Sequence, residues 1–266
     1  MKPFALILTA FLLLLLFLLL HADYLPMIDL PQHAAQITSW MRLQDPAFPD
    51  HRLYELNLRT PYLVAYGLAK LMAPWVGVVA GLKLVLWLGI AGNALAVTSI
   101  ARATGHSQWL GLLALPTAVG YSFYFGFISF VLTTPFALCC WRVALAHARR
   151  PRASSALLLG ALLVLVFSAH AFGFVVALCG AAALLLEGLN RRTLNLRTLP
   201  LLPAALLCAS WLPGLWRHGY RGGEVWELGV SRLLSVPALL VGLSGADAEL
   251  TALGIFVMMA LATQLG

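Results

Sequence analysis

The chain has 266 residues, of which 61% are hydrophobic and only 10% charged. Soluble domains carry about 45–50% apolar and about 25% charged residues, and disordered chains combine low hydrophobicity with dense charge, so both classes are excluded. The net charge of +7 sits in short segments between apolar runs, a placement that orients a chain in a membrane and does not call for a nucleic-acid partner.

At about 20 residues per crossing, this length accommodates about seven or eight spans. Runs such as Leu12 to Leu20 are apolar on every face, whereas the strands of a β-barrel alternate. The expected fold is therefore all-α, a polytopic transmembrane helical bundle with exterior juxtamembrane helices, forming a single multi-pass domain over 1–266.

The first span is expected over 4–21, behind the lone Lys2. Its apolar core is longer than the 7 to 15 residues of a cleaved signal peptide, and it exits through Leu20-His21-Ala22 without a small-x-small site, so it reads as retained. A long polar stretch follows, an exterior loop over 22–77, with Asp23, Asp29, Asp45, Asp50 and Glu55 set against Arg42, Arg52 and Arg59. Within it Pro61 to Pro74 is too short for a crossing and contains Lys70, which suits an interfacial helix.

The further spans are expected at 78–100, 108–123, 125–146, 154–169, 171–187 and 198–215. If Pro61 to Pro74 does not cross, Lys2, Arg102, Arg142, Arg149, Arg150, Arg152, Arg191, Arg192 and Arg197 all fall on the cytoplasmic side, and nine of the ten acids, all except Glu187, fall outside. If it does cross, every later arginine cluster inverts, so the first threading satisfies the positive-inside rule and places the N-terminus in the cytoplasm. Beyond Trp216 come a second exterior stretch, Arg217 to Glu227, an interfacial segment at 228–243, and an apolar segment at 250–265 that reads as the start of a further span in a C-terminally truncated chain. Cys139, Cys140, Cys179 and Cys208 lie inside apolar runs with no CxxC spacing and read as packing residues.

The exterior loop holds the candidate chemistry. Asp29 precedes a helical pattern with Pro31 in its first turn, so its carboxylate is suited to capping that helix. Asp29 and His33 are also four apart, on one face just above the first span. A carboxylate there could act as general base toward a hydroxyl acceptor or ligate a divalent cation, the one cofactor the residues suggest. Asp45, Asp50, His51 and Glu55 read as a solvated loop or as additional metal or sugar contacts. His170, at the turn between two spans, and Lys83, near the end of another, could each contact a phosphate; the plainer readings are a satisfied interfacial histidine and a snorkelling lysine. Arg217, His218 and Arg221 form the best anion-binding group. GxxxxGK[ST], HExxH, GxSxG and CxxC motifs are absent, and no acidic residue is expected at mid-membrane to drive a proton-coupled transporter.

These features together resemble the GT-C superfamily of integral-membrane glycosyltransferases. The resemblance rests on Asp29-Leu30-Pro31-Gln32-His33 after a first span, on Thr60-Pro61-Tyr62-Leu63 opening a short helix, and on Gly81-Leu82-Lys83-Leu84 leading into a span that ends near Arg102. It extends to Phe125-Gly126-Phe127 through Pro135 and to Ser168-Ala169-His170-Ala171-Phe172-Gly173. Many members carry an acidic pair at the loop start, where this chain has Asp29 followed by Leu30. The resemblance implies transfer of a sugar from a polyprenyl-phosphate donor at the outer face of a bacterial inner membrane. Asp29 would be the base, His33 its neighbour, and Arg217, Arg221, His170 and Lys83 contacts to the donor. A lipid or solute transporter, or a non-catalytic membrane subunit, is the alternative.

Overall fold

The computed structural model describes residues 2–48, 55–58, 60–118, 120–187 and 197–217, together with 250, 253, 254 and 257. Among these residues the chain is all-α and contains no strand. The helices are α1 (Lys2–His21), α2 (Leu30–Arg42), α3 (Leu63–Val76), α4 (Val78–Ala103), α5 (Leu110–Ala118), α6 (Tyr121–Phe125), α7 (Ile128–Arg149), α8 (Ala153–Ala169), α9 (Ala171–Leu186) and α10 (Leu202–Arg217), the last entered through a 3-10 turn at Leu199–Leu201.

Among the described residues, three of these helices, α1, α4 and α7, are long and apolar enough to cross a membrane. At 1.5 Å per residue the 26 residues of α4 extend about 39 Å and the 22 of α7 about 33 Å, against about 30 Å of hydrocarbon. Leu6, Phe11, Leu13, Leu14, Phe17 and Leu18 of α1 are all exposed, a surface that water would reject and lipid accepts.

The expected span over 108–123 is not one helix. Pro116 lies inside α5, Gly120 takes an extended conformation, and the segment divides into nine-residue α5 and five-residue α6. Apolarity runs through this break without interruption, which is why composition alone reads it as a single span. The expected span at 125–146 starts later, at Ile128, because Gly126 reverses the chain first. Residues 188–196 and most of 250–265 lie outside the described residues.

At the centre α4 lies against α7. A Cβ on Gly89 would sit 2.9 Å from the backbone of Val131 and Leu132, and one on Gly92 would sit 3.0 Å from the ring of Pro135. Small residues thus let the two backbones touch, the usual means of helix association where lipid removes the hydrophobic driving force. The contact has a second role: Pro135 has no N–H for the carbonyl of Val131, and Gly89 is the residue that meets that carbonyl.

Two hydrophobic cores flank this crossing. One gathers Leu30 and Ile37 of α2, Ala65 and Ala69 of α3, Leu82 to Ile90 of α4, and Ile128 to Leu132 of α7. The other gathers Ala137 to Ala144 of α7 with buried residues of α8, α9 and α10. Phe136 packs against both.

Bonds between helices fix which ends lie together. Lys83 Nζ, near the start of α4, donates to Ala22 O beyond the end of α1, while Phe4 at the other end of α1 stacks edge-on with Trp109 after α4. Tyr62, before α3, meets His170 between α8 and α9. After α3, Gly77 (φ +85) turns the chain directly into α4, and a Cβ on Gly81 would sit 3.0 Å from Ala69 O. Helix α3 therefore begins and ends at one end of the bundle, which also carries α2, α6 and the start of α7. The opposite end carries Arg102, Arg149, Arg150 and Arg152, with Arg149 Nη1 donating to Ala103 O (3.2 Å).

Candidate functional site

The α6–α7 turn sets the geometry of the site. Gly126 occupies the left-handed region (φ 87, ψ 23), and a Cβ there would lie 2.9 Å from Asp29 N and 3.1 Å from Asp29 Cβ. Only glycine meets both demands. Across this close approach Ile28 N donates to Tyr124 O (3.0 Å) and Asp29 N to Phe125 O (3.1 Å), so the entry to α2 is fastened to the exit of α6.

Asp29 occupies the cap position of α2 with helical backbone angles (φ −91, ψ −3), and its carboxylate makes no capping hydrogen bond. The capping role expected from sequence is not realised: side-chain capping needs an extended backbone at that position, and the pairing with α6 dictates otherwise. Among the described residues no hydrogen bond or ion pair engages this half-buried carboxylate.

His33 does share the Asp29 face, with its backbone N–H bonded to Asp29 O (3.0 Å), but its ring turns elsewhere. Nε2 lies 2.9 Å from Gly126 O and Nδ1 lies 2.5 Å from the Tyr66 hydroxyl, which is itself 2.5 Å from Gln36 Oε1. A carbonyl only accepts, so Nε2 carries a proton. The single Tyr66 proton can then satisfy Nδ1 or Gln36, and the two arrangements that close the chain are an imidazolium or a Gln36 amide presenting its NH₂. Burial, and secondarily the negative charges of Asp29 and Tyr62, push the Tyr66 hydroxyl up to about 12, so it stays protonated across the physiological range.

Tyr66 also forms part of a cavity of about 450 Å³ between α2 and α3, lined by Gln36, Trp40, Glu55, Asn57 and Tyr62 among others. On its far side Trp40 borders a second cavity of about 400 Å³, where Lys70 Nζ stands 4.3 Å from the Trp40 ring centroid. Aromatic faces beside amides and a carboxylate are suited to a polyhydroxylated ring, which offers C–H groups on one side and hydroxyls around its edge.

His170 caps α9, its Nδ1 accepting from Gly173 N (3.3 Å), which leaves Nε2 as the protonated nitrogen. Tyr62 and Phe130 meet its ring edge-on at 5.0 and 5.3 Å, and burial lowers its pKa. Through Tyr62 it joins the end of the bundle that holds the cavity.

Lys83 departs from the donor-contact role. It is 5% exposed, and its ammonium is 2.5 Å from Ala22 O, beside the carbonyl end of α1, where it ties two helices together and answers the negative end of a helix dipole. That bond carries the ammonium past the last turn of α1. Arg217 ends α10, which runs along α8 with Pro203 beside Gly160 and Trp211 against Phe167, toward the end that holds His170. The Arg217 side chain, His218, Arg221, Asp50 and His51 lie outside the described residues. Asp45 serves its own turn, accepting from Ala47 N (2.9 Å) and pairing with Arg42 (3.8 Å). Among the described residues no group of three His, Cys, Asp or Glu is placed to hold a metal ion.

Sequence reasoning missed Tyr66, Gln36 and Trp40. The signal was present, since His33, Gln36 and Trp40 follow i, i+3, i+7 and Tyr62 and Tyr66 follow i, i+4, each pattern marking one helix face. Nothing in the sequence says that these two faces meet. Comparison of the chain with protein-family models, with curated proteins and with solved structures finds no match.

Proposed function

We propose that this protein is a membrane glycosyltransferase of GT-C type, passing a sugar from a polyprenyl-phosphate donor to a hydroxyl acceptor at the outer face of a bacterial inner membrane. The observation that carries this reading is the Asp29 carboxylate, left without a hydrogen bond among the described residues, whose charge bears on Tyr66 in the wall of a cavity lined by aromatic rings, amides and Glu55. In the reaction, the acceptor oxygen attacks the anomeric carbon and its proton passes to Asp29. The bond from that carbon to the phosphate oxygen breaks, and the polyprenyl phosphate leaves with the electron pair. Cations would hold that phosphate. Arg217 and Arg221 are assigned this role, with the Nε2–H of His170 as a neutral donor. His33 acts on Tyr66 and the Gly126 turn, holding the wall of the cavity in place.

The test is comparative mass spectrometry of lipids and glycans from cells carrying the gene, its deletion, Asp29→Asn or Glu55→Gln. Loss of a sugar-bearing product in the deletion and in Asp29→Asn, with the protein still present in the membrane, is the expected result. A product that survives Asp29→Asn and disappears in Glu55→Gln would move the base to Glu55. Unchanged glycans in the deletion would reject the transferase in favour of a transporter or a non-catalytic subunit.

A further inference from the structure

The end of the bundle opposite Asp29 has a pocket of its own. Between the last turn of α7 and the first turn of α8 lies a cavity of about 390 Å³, lined by Ala146, Arg150, Arg152, Ser154, Ser155 and Leu158. Two of the lining residues are arginines, and among the described residues neither forms an ion pair with a carboxylate.

Its floor is held from below. His147 is 1% exposed, and its Nδ1 is 2.7 Å from Ser155 Oγ, which in turn donates to Arg152 O (3.0 Å). The serine proton is committed to a carbonyl, so His147 must supply the proton in the first contact. A buried imidazole thus fixes Ser155 and the Arg152 backbone beneath the two charges. The Ser154 hydroxyl makes no hydrogen bond among the described residues. The cavity has an apolar side too, through Ala146 and Leu158, and Leu157 and Leu158 are exposed on the adjoining surface.

We infer that this pocket binds a phosphate ester, with Arg150 and Arg152 as its charged contacts and Ser154 as a neutral donor. Planar guanidinium forks match the paired oxygens of a phosphate, and two of them with no carboxylate paired to them among the described residues favour an anion over a water cluster. The apolar flank beside the charges is what a headgroup phosphate with an acyl chain would meet. Because the same chemistry could come from a phospholipid or from a free phosphate, the experiment separates them.

The full chain, purified in detergent, is titrated with phosphatidylglycerol, phosphatidylcholine or inorganic phosphate, and bound ligand is counted by native mass spectrometry. Phosphatidylglycerol is expected to bind at least about tenfold more tightly than phosphatidylcholine, and to lose about tenfold in the Arg150→Gln, Arg152→Gln pair, the scale of a charge-assisted hydrogen bond. Arg102→Gln, which removes a charge from the same end outside the pocket, should leave binding within about twofold. Inorganic phosphate binding with the same arginine dependence, and competing with the lipid, would identify the source as soluble while upholding the site. Equal losses in the pair and in Arg102→Gln would overturn the proposal, since they would reduce it to diffuse charge. If the glutamine pair does not fold, Arg150→Lys with Arg152→Lys keeps the charge and loses the forks. That pair should bind several-fold more weakly, and unchanged binding would also overturn the proposal.

Discussion

Gly126 is the residue on which the site depends most directly. Alanine there must adopt a left-handed backbone and also place a methyl group 2.9 Å from Asp29 N, so Gly126→Ala should cost about 2 kcal/mol or more and shift Asp29. Thermal unfolding in detergent reads the first effect, and loss of product while the protein remains in the membrane reads the second. Tyr66→Phe is milder. It deletes the hydroxyl between His33 and Gln36 and leaves the half-buried His33 ring short of one partner, for about 1 kcal/mol. His170 carries a pH dependence. Burial lowers its pKa and Tyr62 is the titratable group facing it, so below the ordinary value of about 6.5 the unfolded chain takes up the proton before the folded one. Stability contributed there is present above about pH 6.5 and falls as the pH drops. The thermal midpoint should therefore decrease between pH 7.5 and 5.5, and less so in His170→Asn, which keeps an acceptor for Gly173 N.

At the scale of elements, the glycine-lined crossing of α4 and α7 gives a direct test: Gly89→Ala forces the backbones apart and should destabilise by about 1–3 kcal/mol, read by thermal unfolding in detergent. The threading read from arginine placement is tested by cysteines introduced at Ala47 and Ser154, which are expected to react with impermeant reagents from opposite sides of the membrane. Much of the element order was legible. Uninterrupted apolar runs mark α1, α4 and α7, and the residues from Pro61 to Pro74, too few for a crossing, become α3. The break between α5 and α6 was not legible, because hydropathy does not register a backbone turn at Gly120 within an apolar run. Asp29 and His33 could be placed on one face by spacing. Their partners could not: Tyr66 and Gly126 stand 33 and 93 residues from His33, and tertiary packing alone brings them together. Lys83 was misread for the same reason, since its partner, Ala22 O, lies on another helix.

For the molecule as a whole, the two ends carry opposite chemistry, a carboxylate that makes no capping bond beside aromatic rings at one, and at the other arginines that, among the described residues, form no ion pair with a carboxylate. Helix α7 reaches both. The first turns of α7 lie in the core beneath Asp29, its later turns lie in the core of α8, α9 and α10, and its last turn holds His147 under the arginine pocket. It is the party wall of a two-room building. Neither room has a wall of its own on that side, so a chain severed at Pro151 should yield two pieces that must be expressed together, the piece ending at Arg150 failing to accumulate in the membrane alone, as read by immunoblot of the membrane fraction, because the face of α7 that packs on α8 and α9 has lost its partners.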